Sequence, residues 1–209
     1  MANEVKIEIT QPKLFTKKAI LVINAYIVLG VIPIVILNFL ISPIFEFFKR
    51  EQALSLSLVA LVLVVFQYLY FNPIWLGNPY VRKLVRSLNV SDRSGYVIQL
   101  AIIPRLKSGF RAFLEDADDM GFLAITENEL VFKGDSVKFS LPYAQIINIR
   151  KRNVGWRGAW IYGHRIQIDF MDSTNKKSFE FAERSSLSIP ASRRITTELI
   201  NSLSAKIQK

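Results

Sequence analysis

The sequence predicts a two-part chain: a two-helix transmembrane hairpin, then a mainly β domain of about seven antiparallel strands closed by a C-terminal helix. Three observations predict it. Two long runs without a charged residue, Ala19–Phe45 and Ala53–Phe71, fill the first third of the chain. From Tyr96 onward apolar residues alternate with period two, the pattern of half-buried strands. From Pro190 the pattern returns to a helical period.

Each apolar run is long enough to cross a bilayer, which takes about 20 residues as a helix. The expected order is a cytoplasmic tail over 1–18, a first transmembrane helix over 19–45 and a short external loop over 46–52. A second transmembrane helix follows over 53–79, then a basic juxtamembrane helix and linker over 80–95. Gly30 and Pro33 predict a kink or close helix contact in the first span. Tyr68, Tyr70, Phe71, Trp75 and Tyr80 form an aromatic belt at headgroup level. A cleaved signal peptide is excluded, because the first run is too long and no small-residue cleavage site follows it.

Charge sets the expected orientation. Lys13, Lys17 and Lys18 flank the first span, Arg82, Lys83 and Arg86 follow the second, and the loop is neutral. The positive-inside rule then puts both termini in the cytoplasm of an integral membrane protein. A compact two-span chain of this kind fits a bacterial inner membrane. The net charge is +10, and half of the excess lies in residues 82–107. Within Tyr80–Leu88, Val81, Leu84, Val85 and Leu88 share one helical face, and the basic residues take other positions. That is the pattern of a basic amphipathic helix lying along an anionic leaflet.

Little in the sequence points to catalysis. The absence of cysteine excludes disulfides, thiolate metal sites and a cysteine nucleophile. His164 is the only histidine, too few for a histidine metal cluster, and no Gly-x-Ser-x-Gly or phosphate-binding glycine loop occurs. No catalytic, metal or cofactor residue is therefore assigned. The acidic run Glu115, Asp116, Asp118 and Asp119 does not match a calcium loop and reads as a solvated turn or an internal partner for Arg111. Residues 108–209 carry 15 basic against 12 acidic groups, which argues against nucleic-acid binding.

The β domain reads strand by strand. Tyr96–Ile103 is the first strand, stopped by Pro104; Gly121–Thr126 and Glu129–Lys133 follow, with a tight turn at Asn128. Gly134-Asp135 is a hairpin signal leading into Ser136–Leu141. Ile146–Asn153, Arg165–Phe170 and Lys177–Ala182 complete the set, with a turn at Asp172–Asn175. Pro190 suits the first turn of the last helix, whose apolar stripe is Ile195, Leu199, Ile200, Leu203 and Ile207. That stripe must cover an open end or face of the sheet.

The stretches "GFLAITENELVFKG" at Gly121–Gly134 and "LPYAQIINI" at Leu141–Ile149 carry a family resemblance. With the order of seven strands and a helix, residues 96–209 resemble the pleckstrin-homology (PH)-like superfold, in its GRAM-like and bacterial PH-like branches. The resemblance implies a binding module rather than an enzyme. Many such domains grip acidic headgroups around the first inter-strand loop, and others bind only proteins.

In this chain that loop offers Arg105, Lys107, Phe110 and Arg111 as headgroup or partner contacts, although the first strand carries no Lys or Arg. A second basic and aromatic cluster holds Arg150, Arg152, Trp156, Arg157 and Trp160. Arg and Trp together suit lipid interfaces and protein hot spots. Arg82, Lys83 and Arg86 form the juxtamembrane basic set. The expected function is a non-enzymatic, membrane-tethered PH-like module that touches anionic lipid, an unidentified protein partner, or both. The alternative is a scaffold or accessory subunit of a membrane complex that docks a protein through the Trp-rich loop.

Overall fold

Alternating apolar residues and short turns fold the described chain into one eight-stranded antiparallel sheet. The structure is a computed structural model that describes residues 5, 7–9, 14–25, 58–59, 61–62, 79–88, 90, 92–102, 117–152, 164–186 and 189–207. The strands are β1 (Ile7–Ile9), β2 (Tyr96–Ala101), β3 (Asp119–Ile125), β4 (Glu129–Gly134), β5 (Val137–Pro142), β6 (Ile146–Arg152), β7 (Arg165–Asp172) and β8 (Asn175–Glu183). Two complete helices are described, α1 (Pro79–Ser87) and α2 (Ile189–Ile207), and residues 17–25 are also helical. The sheet order is β1-β5-β4-β3-β2-β8-β7-β6.

One face of this sheet makes the main core. Ile98 and Leu100 of β2, Leu130 and Phe132 of β4, Phe139 of β5, Ile166 and Ile168 of β7 and Phe179 and Phe181 of β8 meet in one buried cluster. Each such side chain contributes about 1.5–3 kcal/mol by leaving water. Leu199 and Leu203 of α2 join the cluster, with Ile195, Ile200 and Ile207 packed at its margin, so the helix stripe closes against the sheet.

Turn chemistry fixes the register of β3, β4 and β5. The buried Asp119 carboxylate accepts the backbone N–H groups of Ser136 (3.0 Å) and Val137 (2.7 Å). The Asp135 N–H donates to the Met120 carbonyl at 3.0 Å. At Gly134 a Cβ would meet the same Asp119 oxygen at 2.3 Å, so the hairpin admits only glycine there. Gly95, at the entry to β2, has φ +101° and would place a Cβ 2.2 Å from the Leu123 carbonyl oxygen.

The opposite face of β2 and β3 is apolar too. Val97, Met120 and Phe122 pack against Val81, Leu84, Val85 and Leu88 of α1 and against Phe15 and Ile23 beside and within the helical residues 17–25. Thr16 caps that helical segment by accepting the Ala19 N–H at 3.3 Å. Arg93 donates to the carbonyls of Arg86 (2.9 Å) and Leu88 (3.2 Å), placing a cation at the C-terminal end of α1.

These contacts correct the transmembrane hairpin. Among the described residues no helix is long and apolar enough to cross a membrane. The expected integral placement, in a bacterial inner membrane with both termini cytoplasmic, is withdrawn with it. Where the first apolar run is described, Ala19 and Ile23 are buried, and Ile23 packs in the cluster on the outer face of β2 and β3. Apolar length is necessary for spanning but does not choose lipid over protein as the neighbour. Residues 26–57 and 63–78, the larger part of both expected spans, lie outside the described residues. The amphipathic helix over 80–88 exists as α1, but its apolar face packs on β2 and β3 rather than on a leaflet. The strand count is eight rather than about seven, because Ile7–Ile9 of the expected tail pairs with β5.

Candidate binding surfaces

The helical layer over β2 and β3 presents a basic surface. Periodicity sends Val81, Leu84, Val85 and Leu88 inward, so Arg82, Lys83 and Arg86 are exposed. Thr16 starts the neighbouring helix so that Ala19 and Ile23 face inward, which leaves Lys17 and Lys18 exposed. Both segments feed one apolar cluster, so the five cations belong to one layer. Neither segment contains an Asp or Glu. The nearest acid along the chain after α1, Asp92, is engaged elsewhere: it pairs with Lys133 at 2.7 Å and accepts the Ser94 N–H at 2.9 Å. The Lys133 hydrogen bond is the main reason its carboxyl is held far below the usual range. Leu14 and Leu21 are exposed beside the cations.

A second polar group lies on the outer face of β6, β7 and β8. Alternation turns Phe179 and Phe181 inward and Glu180 outward, yet Glu180 is buried. Its carboxylate accepts Arg165 Nη1 at 2.8 Å and also pairs with Arg152. Next to it Asp169 accepts Ser178 Oγ at 2.7 Å and Gln167 Nε2 at 2.8 Å. Arg184 is fully buried and donates from Nε to Gln99 Oε1 at 2.5 Å. These pairs order the sheet; two arginines sharing one carboxylate are already engaged and offer little free charge to a ligand.

His164 stands at the entry to β7. Burial is the main cause that lowers its pKa, helped by the charges of Lys151 and Arg193. Among the described residues no group of three or more His, Asp or Glu could hold a metal ion.

The expected contact residues separate in space and in status. Arg82, Lys83 and Arg86 are exposed on α1. Arg150 is exposed on β6, whereas Arg152 is tied to Glu180. Arg105, Lys107, Phe110 and Arg111, and Trp156, Arg157 and Trp160, lie outside the described residues. The sequence reading used Lys17 and Lys18 only as orientation charges; their helical spacing with Ala19 and Ile23 was the available sign that they share a surface. No family model matches the chain, and no curated protein and no solved structure matches it.

Proposed function

We propose that this chain is a non-enzymatic PH-like binding module whose basic helical layer rests against anionic lipid headgroups. The observation that carries the reading is the set Lys17, Lys18, Arg82, Lys83 and Arg86. All five are exposed on two helical segments that contain no acid and share one buried cluster. Each basic residue near an anionic leaflet is worth about 1 kcal/mol, so five together are worth a partition change of roughly several thousandfold. Seven consecutive antiparallel strands followed by a C-terminal helix, the order behind the PH-like resemblance, support the module.

The test is co-flotation of the full chain with phosphatidylcholine vesicles and with vesicles that also contain phosphatidylglycerol, at low and high salt. A preference for the anionic vesicles that fades with salt is expected, because exposed charges are screened. Replacing all five cations by glutamine should abolish the preference without unfolding the chain, since the side chains face solvent. Equal flotation with both vesicles, or a preference that survives the replacement, overturns the reading and turns the search to a protein partner.

A further inference from the structure

The curled sheet lines a partly open cavity of about 510 Å³. Ile7 of β1, Leu100 of β2, Val137 and Phe139 of β5, Phe170 of β7 and Phe179 of β8 contribute to its walls. Only two of the described residues around it are polar, Lys177 and Ser178, and both are engaged. Ser178 Oγ donates to Asp169 Oδ1 at 2.7 Å, and Lys177 Nζ pairs with Asp172. Along the chain, α2 lies elsewhere: none of its residues is among the described lining.

Three physical points narrow what fits. An ordered water needs about 2–4 polar partners, and these walls supply almost none. An apolar void left empty forfeits dispersion contacts on every wall, and its cost grows with its volume. The volume falls within the roughly 300–1,000 Å³ common for sites that take small ligands. The one cation among the described lining, Lys177, is paired with Asp172, so the described lining carries no unpaired charge. Nothing there selects an anionic or a cationic head.

We propose that this cavity is a binding site for one linear hydrocarbon chain, the acyl tail of a fatty acid or of a monoacyl phospholipid. The walls recognise the tail, and with Lys177 already paired to Asp172 the described lining offers no free charge to the head, which stays in water. The site is separate from the basic helical layer and does not depend on the lipid-surface reading.

The experiment is displacement of an anthroyloxy-labelled stearate from the full chain by dodecanoate, dodecanol and lysophosphatidylcholine, each below its micelle-forming concentration. Saturable binding with comparable competition by dodecanoate and dodecanol is expected. Val137→Phe, which fills the cavity from its wall, should weaken binding about tenfold or more. Ile7→Trp is the second variant: Ile7 is 39% exposed on the edge strand, so the fold tolerates the change while the indole crowds the cavity that Ile7 lines. Thermal unfolding of both variants checks that the sheet is intact. Lys177→Gln should leave binding of dodecanol within about twofold, because the tail and not a head-group charge is recognised. Competition by lysophosphatidylcholine as well names a monoacyl lipid as an admissible source, and competition by dodecanoate and dodecanol without lysophosphatidylcholine names a free fatty acid; both support the site, whereas competition by dodecanoate without dodecanol overturns a head left in water. No saturable binding, or binding undiminished in both Val137→Phe and Ile7→Trp, overturns it.

Discussion

The rings of Phe139 and Phe179 lie 5.0 Å apart, centroid to centroid, although their strands are not neighbours. In the sheet order, β4, β3 and β2 stand between β5 and β8. Four inter-strand steps of about 4.8 Å would hold the two strands roughly 19 Å apart in a flat sheet. The contact therefore measures the closure of the sheet on itself. Phe132 and Phe170 extend it, at 5.4 Å from Phe139 and 5.7 Å from Phe179.

Truncating either ring should open that closure. Phe139→Ala and Phe179→Ala are each expected to cost about 3–5 kcal/mol in urea unfolding. The double variant should cost less than the sum by about 0.5–1.5 kcal/mol, the coupling of an aromatic pair. Strict additivity would mean that the rings do not interact.

Glu180 holds two arginines on the outer face of β6, β7 and β8. Its side chain is 2% exposed, and Arg165 is 8% exposed. Glu180→Gln leaves both guanidinium groups without a counter-charge in a poorly solvated place. A loss of about 3–5 kcal/mol in urea unfolding is expected, the cost of breaking a buried pair from one side. Arg152→Gln should cost clearly less, because Arg152 is more exposed and Glu180 keeps Arg165. The opposite ranking would contradict this arrangement.

Two carboxylates of β7 make the fold sensitive to acid. Burial pushes the Asp169 pKa up, but hydrogen bonds from Ser178, Gln167 and Lys176 outweigh it, and the net direction is down. The Lys177 hydrogen bond lowers Asp172, helped by the Val5 N–H and the Lys177 charge. A depressed carboxylate stabilises the fold above its unfolded pKa and loses that contribution as pH falls through its folded pKa. The contribution of these two carboxylates, read from urea midpoints, should therefore hold steady down to about pH 4 and be lost below it. Asp169→Asn should flatten the acid limb; an unchanged limb would exclude Asp169 as its source.

His164 acts in the same direction at higher pH. Its lowered pKa means that the folded chain favours the neutral ring while the unfolded chain takes up a proton at about pH 6.5. Stability should decline as pH drops through that value and level off below the folded pKa. His164→Gln should remove this step from a stability profile run between about pH 8 and pH 5. A step that persists in the variant belongs to another group.

Parts of the candidate surface were legible in the sequence, and the misreadings have specific causes. The spacing of Val81, Leu84, Val85 and Leu88 identified a helix with three cations on its other side. It could not say what covers the apolar face, which turned out to be Val97, Met120 and Phe122. Arg152 read as a headgroup or partner contact because its counter-charge, Glu180, lies 28 residues further on in another strand. Lys17 and Lys18 read as flanking charges because their neighbours on the surface lie more than sixty positions away in the chain.

The sequence by itself determined local conformation. Period-two runs marked β2 through β8, Gly134-Asp135 marked a hairpin, and Pro190 with its apolar stripe marked α2; each signal involves residues within one element or one turn. Tertiary structure alone decided the partners. It placed Ile7–Ile9 on the edge of β5, brought Phe139 to Phe179, and set Ala19 and Ile23 against protein. The physical reason is that burial is non-directional. An apolar stripe is stabilised equally by any apolar neighbour, and only the closed sheet, with apolar residues on both faces of β2 and β3, determined which neighbour it met.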